Sequence, residues 1–359
     1  MQDSSNFEIS DLVTMTKILV IGGRGYFGRL LIDDLLRNTN SKLVIASRQA
    51  FRSSRFETVV ADLRDPDSLE RALTGVKIAI CAAGPYQNFP TTLAELCLNR
   101  SVHYIDLADD RDFVKKIRSL ASDHKTDTSV CTGWSTVSAL SGLLAGIASD
   151  GMTGIDSIHI QMAPGNRGAR HTGTIASLMH SLGQPFIICR DGKSQHVVGW
   201  SEPREFVFPS PVGKRRGYLV DVPDHEIFPQ LFDARTVEFR AGSELRILNG
   251  CLALLQRTRR SWVSSSPLLQ RAAGLLSWIG HDWGAIGVEV KAAAVRRACI
   301  VADSHGERIA VMPACVMAAA LSSGVQYAGL ISYSGWLSEA QLRGECDKRG
   351  FRLVVEAAS

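Results

Sequence analysis

The chain has 359 residues, a length that corresponds to about two domains. Hydrophobic residues make up 45% and charged residues 21% of it, proportions that are typical of a folded globular protein and argue against a disordered chain. The 40 Lys and Arg residues barely exceed the 36 Asp and Glu residues, and this net charge of +4 is too small for a dedicated nucleic-acid-binding protein.

Eight cysteines are scattered singly, with no CxxC pair and no Cys/His cluster at metal-ligand spacing. We therefore expect no metal site and a reducing, cytoplasmic location. Residues 1–16 contain three acidic residues and no apolar core of signal-peptide length, so we interpret them as a loose leader. Two uncharged stretches, Thr128–Ser149 and Ile309–Ser338, are interrupted by Gly, Ser and Thr, which favours buried helices over membrane spans.

Short apolar runs alternate with segments of helical periodicity over the first 150 residues. The runs predict strands at Lys17–Ile21, Lys42–Ser47, Thr58–Ala61, Lys77–Cys81, His103–Leu107 and Thr128–Cys131. Helices are predicted at Tyr26–Arg37, after Asp65-Pro66-Asp67, at Pro90–Asn99 and at Asp109–Asp123. Strands joined by helical crossovers form a parallel sheet, so the pattern predicts a doubly wound α/β Rossmann domain that binds a dinucleotide, over residues 17–150.

The turn after the first strand carries a G-x-G-x-x-G motif, Gly23-Arg24-Gly25-Tyr26-Phe27-Gly28. Its position between a strand and a helix is the context that makes it a dinucleotide-binding fingerprint rather than a plain Gly-rich turn. We expect Gly23 to allow the tight turn, Gly25 to let the backbone approach a pyrophosphate, and Gly28 to let helix and strand pack closely. The helix N-terminus would attract the phosphates through its N–H groups and partial positive charge.

The end of the second strand favours NADP over NAD as the cofactor. An acidic residue about 20 positions after the motif would bind the ribose 2′-hydroxyl of NAD. This chain has Ser47-Arg48 there instead, and a guanidinium suits a 2′-phosphate because its planar fork binds oxyanions with two hydrogen bonds. Arg52 is a candidate second cation. The alternative is a surface loop without a role in binding.

Two later turns complete the predicted cofactor site. Asp62, with Leu63 beside it, follows the third strand and is predicted to meet the adenine edge. Ala83-Gly84-Pro85 follows the fourth strand and is predicted to lie beside the nicotinamide half, where small residues let the backbone approach the cofactor. Tyr86 either points into this site or packs on its own loop.

A family resemblance rests on several of these segments. Cys81-Ala82-Ala83-Gly84-Pro85-Tyr86, His103-Tyr104-Ile105-Asp106-Leu107 and Gly133-Trp134-Ser135-Thr136 together resemble the saccharopine dehydrogenase/reductase superfamily, most strongly over Lys17–Leu144. The resemblance implies an NADP-binding oxidoreductase with a second domain for substrate or oligomerisation. The family includes enzymes that make or cleave secondary amines of amino acids and polyamines through imines, and also lipid-linked reductases.

From about Gly151 the pattern changes to short strands separated by tight turns. Strands are predicted at Ile155–Met162, Phe186–Arg190, Ser194–Val198, Arg204–Phe208, Gly217–Asp221, Val237–Ala241, Ile286–Ala292 and Arg296–Asp303, with a hairpin at Asp191-Gly192. Helices are predicted at Thr172–Leu182, Glu244–Thr258 and Pro267–Ile279. We expect a second, α+β domain with a mixed or antiparallel sheet over residues 151–309, which binds substrate or forms a homodimer.

The last segment contains predicted helices at Pro313–Ser323 and Leu337–Arg349 and a final strand at Phe351–Val355. The family resemblance implies that residues 310–359 rejoin the nucleotide domain.

Catalytic candidates are Tyr86, Asp106, Trp134, Arg170 and His171. His171 could protonate an amine or a carbonyl oxygen near neutral pH, and Arg170 could bind a substrate carboxylate. Both also fit an ordinary loop before a helix. Asp106 also fits an orienting group at a strand end. Because the nicotinamide carries the hydride, a strong acid–base constellation is not required.

Residues 252–283 combine four Arg and three Trp residues with several Leu, a composition that suits contact with a membrane surface as well as a helical lid or a dimer face. Three functions therefore stay open. They are an NADP-dependent oxidoreductase acting on an imine, amino-acid or carbonyl substrate, a lipid-linked reductase, and a non-catalytic NADP-binding regulatory protein.

Overall fold

The computed structural model of the chain describes residues 15–124, 127–167, 180–258 and 279–358. Within these residues the strands are β1 Lys17–Ile21, β2 Lys42–Ser47, β3 Glu57–Val60, β4 Ile78–Cys81, β5 His103–Asp106, β6 Ser129–Cys131, β7 Ser157–Pro164, β8 Pro185–Arg190, β9 Lys193–Val198, β10 Arg204–Val207, β11 Lys214–Leu219, β12 Thr236–Ala241, β13 Gly284–Lys291, β14 Val295–Ala302, β15 Gly329–Leu330 and β16 Phe351–Ala358. The helices are α1 Tyr26–Asn38, α2 Pro66–Ala72, α3 Thr92–Asn99, α4 Arg111–Asp123, α5 Ala139–Ala148, α6 Asp224–Leu231, α7 Arg246–Leu255, α8 Met312–Ser322 and α9 Glu339–Lys348.

The first sheet is parallel throughout and has the order β3-β2-β1-β4-β5-β6-β15. Ile18 and Val20 of β1 enter one apolar core, whereas Leu19 and Ile21 enter another on the opposite face. Strands buried on both faces have continuous apolar runs, which is why this pattern predicted the sheet correctly. The strand order reverses direction between β1 and β4, and this switch point is where doubly wound sheets bind dinucleotides.

Side-chain caps fix several helices that surround this sheet. Asp65 accepts a hydrogen bond from the backbone N–H of Ser68, and Pro66 occupies the first position of α2, as the Asp-Pro-Asp signal predicted. Asp110 caps α4 in the same way, accepting from the N–H of Phe113 at 2.8 Å. These caps hold α2 and α4 in register with the strands that precede them.

The second sheet has the order β10-β11-β12-β7-β13-β14-β16 and is mixed, because β12 pairs with β7 in parallel while the other pairs are antiparallel. Helix α5 packs against its apolar face on β13 and β14. The opposite face carries buried charges, among them Glu238, which is paired with Arg190, Arg240 and His159. These partners lower the pKa of the Glu238 carboxyl far below its ordinary value, although burial by itself would raise it.

Strands β8 and β9 form a separate hairpin around the predicted turn. Asp191 and Gly192 both have positive φ, +51° and +75°. This backbone conformation is the one that a two-residue hairpin turn favours, because its twist matches that of the flanking strands. The turn prediction is therefore confirmed.

The C-terminal segment divides between the two sheets. Helix α8 packs against α1, and β15 pairs with β6, so both lie with the first sheet. Strand β16 instead pairs along its length with β14 of the second sheet. The division into one domain of residues 17–150 and 310–359 and a second domain of residues 151–309 stays a prediction. The two halves of the segment 310–359 lie with different sheets.

An ion pair buried in the core fastens the C-terminal segment to the first sheet. Arg349, which follows α9, donates to both carboxylate oxygens of Asp34 in α1 at 2.8 and 2.7 Å, and the side chains are 2% and 0% exposed. Asn38 donates a further hydrogen bond to Asp34, and Glu345 accepts from Arg349. The pair positions α9 against the helix that begins at the glycine motif.

Helix α6 was not predicted, since Pro229 lies inside it and is atypical of a helix interior. The apolar stretches around α5 and α8 are mostly buried, as expected for core helices. No helix among the described residues is long and apolar enough to cross a membrane. The leader up to residue 14, most of the predicted helix Thr172–Leu182 and nearly all of Pro267–Ile279 lie outside the described residues.

Candidate functional site

The glycine turn lies at the switch point of the first sheet. Gly22 has a φ of +81°, and a Cβ on it would lie 2.6 Å from the backbone nitrogen of Ala83. The N–H of Gly25 donates to the carbonyl of Gly22 at 2.8 Å and closes the turn. The left-handed residue of the turn is therefore Gly22, which corrects the role expected for Gly23. The adjacent Gly22-Gly23 pair was the signal that could have revealed it.

The other motif glycines are required by close packing. A Cβ on Gly28 would lie 2.2 Å from the carbonyl oxygen of Gly22 and 2.7 Å from Cα of Gly23, so the helix crosses the turn in direct backbone contact. A Cβ on Gly23 would lie 2.6 Å from the side chain of Ile45 in β2. Any side chain at these positions would push helix, turn and sheet apart.

The first turn of α1 is suited to an anion. Its cap residue is Gly25, no described side chain caps it, and it contains no acidic residue. Its backbone N–H groups and the positive end of the helix dipole therefore face the end of β1 without a competing carboxylate. This arrangement fits the pyrophosphate of a dinucleotide.

The loop after β2 presents an exposed cation. Arg48 is exposed and forms no hydrogen bond or ion pair with any residue that the structure describes, and the same holds for Arg52. The hydroxyl of Ser47 is engaged in its own turn, donating to the carbonyl of Gln49 at 2.8 Å. Arg24 of the glycine motif lies over the ring of Phe51 in this loop, with its guanidinium carbon 5.3 Å from the ring centre. This contact joins the glycine turn to the Arg48 loop and was not predicted.

The turn after β3 is fixed by local hydrogen bonds. Asp62 accepts from the backbone N–H of Arg64, and its own N–H donates to the hydroxyl of Ser68. Leu63 is 6% exposed and belongs to the core on one face of the sheet. Leu63 can therefore contribute to a ligand site mainly through its backbone.

The turn after β4 carries the buried phenol of Tyr86. The hydroxyl donates to the carbonyl of Cys81 at 2.7 Å and accepts from the N–H of Leu107 at 3.1 Å. Burial raises the pKa of this phenol well above its ordinary value. The hydroxyl thus joins the ends of β4 and β5 and positions the partly exposed residues Ala83 and Pro85. Its catalytic role stays a prediction, and this geometry favours a structural role instead.

Asp106 joins the end of β5 to the turn after β6. The carboxylate accepts from the N–H of Ala108 at 2.9 Å and of Gly133 at 2.8 Å, and its carbonyl accepts from the N–H of Trp134. Burial raises the pKa of Asp106 to about 6, although the hydrogen bonds to the carboxylate oppose this effect. Because the side chain is 0% exposed, the arrangement favours the orienting role over that of a base.

Trp134 is also fully buried. Its ring packs 5.8 Å from that of Tyr333 and 5.4 Å from that of Trp336, and its indole nitrogen has no hydrogen-bond partner among the residues described. Trp134 therefore packs between the turn after β6 and the C-terminal segment. Its burial does not support direct contact with a substrate, so its catalytic role stays a prediction. Arg170 and His171 lie outside the described residues, so their roles stay predictions.

No group of three or more His, Cys, Asp or Glu residues in the described parts of the chain is arranged to hold a metal ion. Cys81 is buried, and burial raises the pKa of its thiol to about 12, so it stays protonated.

Comparison with known proteins agrees with this geometry. Residues 18–130 match the family model of the saccharopine dehydrogenase NADP binding domain. A trans-acting enoyl reductase from Mycobacterium ulcerans is 27% identical over 124 residues, which are 31% of this chain and 30% of the relative. A protein of Arabidopsis thaliana, named "probable mitochondrial saccharopine dehydrogenase-like oxidoreductase", is 22% identical over 153 residues, 35% of this chain and 34% of its own. The matches thus span about a third of these curated relatives.

The fold is similar to that of apo saccharopine dehydrogenase (L-Glu forming) from Saccharomyces cerevisiae, with a TM-score of 0.64 and 12% identity over 96% of this chain and 100% of that one. At this identity the similarity establishes the fold. The family match supports NADP as the cofactor. The resemblance to the saccharopine dehydrogenase superfamily is confirmed by the family match over residues 18–130.

Proposed function

We propose that this chain is an NADP-dependent oxidoreductase that transfers a hydride to or from an imine, amino-acid or carbonyl substrate. The observation that carries the proposal is the glycine turn at the β1/β4 switch point, where a Cβ on Gly22 or Gly28 would collide with backbone atoms. A turn of this kind leaves backbone room for a pyrophosphate and has little other use at a strand end.

Different residues bind different parts of the cofactor in this proposal. The N-terminus of α1, from Gly25 to Gly28, holds the pyrophosphate through backbone N–H groups. Arg48 binds the 2′-phosphate with Arg52 as a second cation, and Asp62 and Leu63 border the adenine. Ala83, Gly84 and Pro85 border the nicotinamide. When bound, NADP supplies or accepts the hydride, and the protein contributes orientation and electrostatics.

Tyr86 and Asp106 are positioning residues in this proposal. Each ties the end of one strand to a neighbouring turn through backbone hydrogen bonds, so the nicotinamide edge is rigid before the cofactor binds. Preorganised backbone of this kind places the reacting atoms without further cost at the moment of reaction. Proton transfer to the substrate is assigned to His171, and carboxylate binding to Arg170.

The experiment that tests cofactor choice is Arg48→Ala, with NADPH and NADH affinities measured by the fluorescence of the reduced nicotinamide. Loss of a charge-assisted hydrogen-bonded group is worth about 1.5–3 kcal/mol, so the NADPH/NADH affinity ratio should fall by roughly 10- to 100-fold. Arg37→Ala is the control, because Arg37 is an exposed cation at the opposite end of α1. An unchanged ratio in Arg48→Ala would refute the assignment.

Turnover distinguishes the enzyme from a non-catalytic NADP-binding protein. The purified chain should oxidise NADPH in the presence of at least one imine, carbonyl or enoyl compound. Tight NADPH binding without oxidation by any of these classes would favour the regulatory alternative.

A second candidate, a reductase acting at a membrane surface, is favoured by helix α7. Ile247 and Leu254 are 85% and 62% exposed, and Cys251 lies exposed between them on the same face. The sequence from Leu245 to His281 contains five Arg residues and no acidic residue, which suits an anionic lipid surface. Co-sedimentation with anionic vesicles, weakened in Ile247→Ser/Leu254→Ser, is expected. Absence of binding to both neutral and anionic vesicles would remove this candidate.

A further inference from the structure

A cavity of about 450 Å³ lies beside the edge of the first sheet, away from the glycine turn. Helix α4, residues 223–231 and residues 330–333 enclose it. Its lining is about equally polar and apolar, and the apolar wall includes Ile227, Leu330 and Tyr333. The size is within the range of small-molecule sites. Three cations of α4, spaced by four and three residues, face the same space: Arg111, Lys115 and Arg118.

Two of these cations are neutralised by the protein itself. Arg111 pairs with Asp221 at 2.6 Å and donates to the carbonyl of Ile187. Lys115 pairs with Glu226 at 2.8 Å. Neither therefore adds an uncompensated charge to the cavity.

Arg118 differs from its two neighbours. It is half-buried and forms no ion pair with any carboxylate in the described parts of the chain, and its guanidinium carbon lies 5.4 Å from the centre of the Tyr333 ring. A hydrogen bond with the Tyr333 hydroxyl also orients the guanidinium. Because a guanidinium has five N–H donors, others remain for a ligand. The cavity thus combines an apolar wall with one uncompensated, preoriented positive group.

We propose that this cavity binds a small organic carboxylate with a single negative charge and an apolar body. The guanidinium of Arg118 matches a carboxylate because both are planar and form two parallel hydrogen bonds. Arg118 compensates one negative charge, and the charge of Glu226, which also lines the cavity, is already paired with Lys115, so a phosphate dianion fits less well. The apolar wall takes up the body of the ligand.

The cavity is distinct from the proposed cofactor site, since none of the residues assigned to NADP lines it. It is nevertheless connected to the turn after β6. Tyr333, one wall of the cavity, donates its hydroxyl to the carbonyl of Thr132 at 3.0 Å and packs against Trp134. The inference needs no redox activity of the chain, so its failure and that of the proposed function can be told apart.

Titration calorimetry with octanoate tests the proposal, with octanol, acetate and inorganic phosphate as comparison ligands. Octanoate should bind more tightly than each of these, because only octanoate has both the carboxylate and the apolar body. Arg118→Gln should weaken octanoate binding by at least about tenfold, which corresponds to about 1.4 kcal/mol. Lys116→Gln is the control, since it removes an exposed positive charge from the same helix outside the cavity.

Leu231→Trp is the second variant, because it fills the cavity from its partly exposed wall and leaves Arg118 in place. It should also abolish octanoate binding, and thermal unfolding of each variant verifies the fold. Saturating NADPH should leave the affinity for octanoate unchanged. Equal binding of octanoate and octanol, unchanged binding by Arg118→Gln, or displacement by NADPH would each overturn the proposal.

Discussion

Replacing Gly28 by alanine separates the close packing of the glycine turn from general effects on the helix. The added Cβ would lie 2.2 Å from the carbonyl oxygen of Gly22, about 1 Å shorter than the roughly 3.3 Å of the closest ordinary carbon–oxygen contacts. Both groups belong to backbone and cannot rotate away. The start of α1 must therefore move from the turn by an amount on the order of 1 Å.

Two opposing terms set the expected magnitude. Overpacking costs about 1–3 kcal/mol, whereas alanine in place of glycine inside a helix contributes about 1 kcal/mol of stability. We expect Gly28→Ala to lower the free energy of unfolding by up to about 2 kcal/mol. A displacement on the order of 1 Å at a binding geometry can cost about 100-fold, so NADPH affinity should fall by at least roughly tenfold.

Gly344→Ala is the matched control, because Gly344 also lies inside a helix and a Cβ there would meet no atom within 4 Å. This variant should be as stable as the wild type or more stable by about 0.5–1 kcal/mol, with unchanged NADPH affinity. Chemical denaturation and NADPH fluorescence titration measure both quantities. If Gly28→Ala matched Gly344→Ala in stability and in affinity, the packing argument would be wrong.

Three further predictions concern buried polar groups. Arg349→Met leaves Asp34 buried without its partner and should lower the free energy of unfolding, measured by chemical denaturation, by about 3–5 kcal/mol. The double variant Arg349→Met/Asp34→Leu should regain most of this stability. Tyr86→Phe removes the hydroxyl that donates to one buried backbone group and accepts from another, and should lower the free energy of unfolding by about 1–3 kcal/mol. The pH profile of turnover should keep its shape. Loss of one limb of that profile would indicate that the phenol is catalytic. Burial raises the pKa of Asp224 from 3.8 to about 6, so the folded state binds a proton that the unfolded state lacks between these pH values. As the pH falls from about 7 to 4, the wild type should therefore gain stability relative to Asp224→Asn by an amount on the order of 2 kcal/mol. If the difference in stability between the two proteins did not change with pH, the raised pKa of Asp224 would be contradicted.

The first sheet could be predicted from the sequence because its signals are local. The central strands β1, β2 and β4 are continuous apolar runs. Caps such as Asp65 and Asp110 mark helix starts. Strand ends then fix where the chain meets the cofactor, so Gly23–Gly28 and Arg48 could be placed at one edge without knowledge of tertiary contacts.

The roles of Tyr86, Asp106 and Trp134 could not be predicted in the same way. Each stands at a strand end, which is where catalytic side chains also stand. Their burial depends on contacts that are distant in sequence, such as the packing of Tyr333 on Trp134. Helix α6 was missed for a related reason, because its buried residues Asp224 and His225 are polar and their partners lie on other elements.

The cofactor-binding residues could be predicted and the roles of the buried side chains could not, because the two kinds of site recognise their ligands differently. A dinucleotide is bound largely by backbone, so its site must have glycines where a Cβ would collide, and glycine is visible in a sequence. Other ligands are recognised by side chains from separate segments, as the cavity between α4, residues 223–231 and residues 330–333 illustrates. Arg118 is unremarkable in its own helix. Only the fold shows that Arg111 and Lys115 form ion pairs whereas Arg118 forms none with the carboxylates that the structure describes. A ligand that side chains recognise therefore has to be inferred from uncompensated charges inside cavities rather than from motifs.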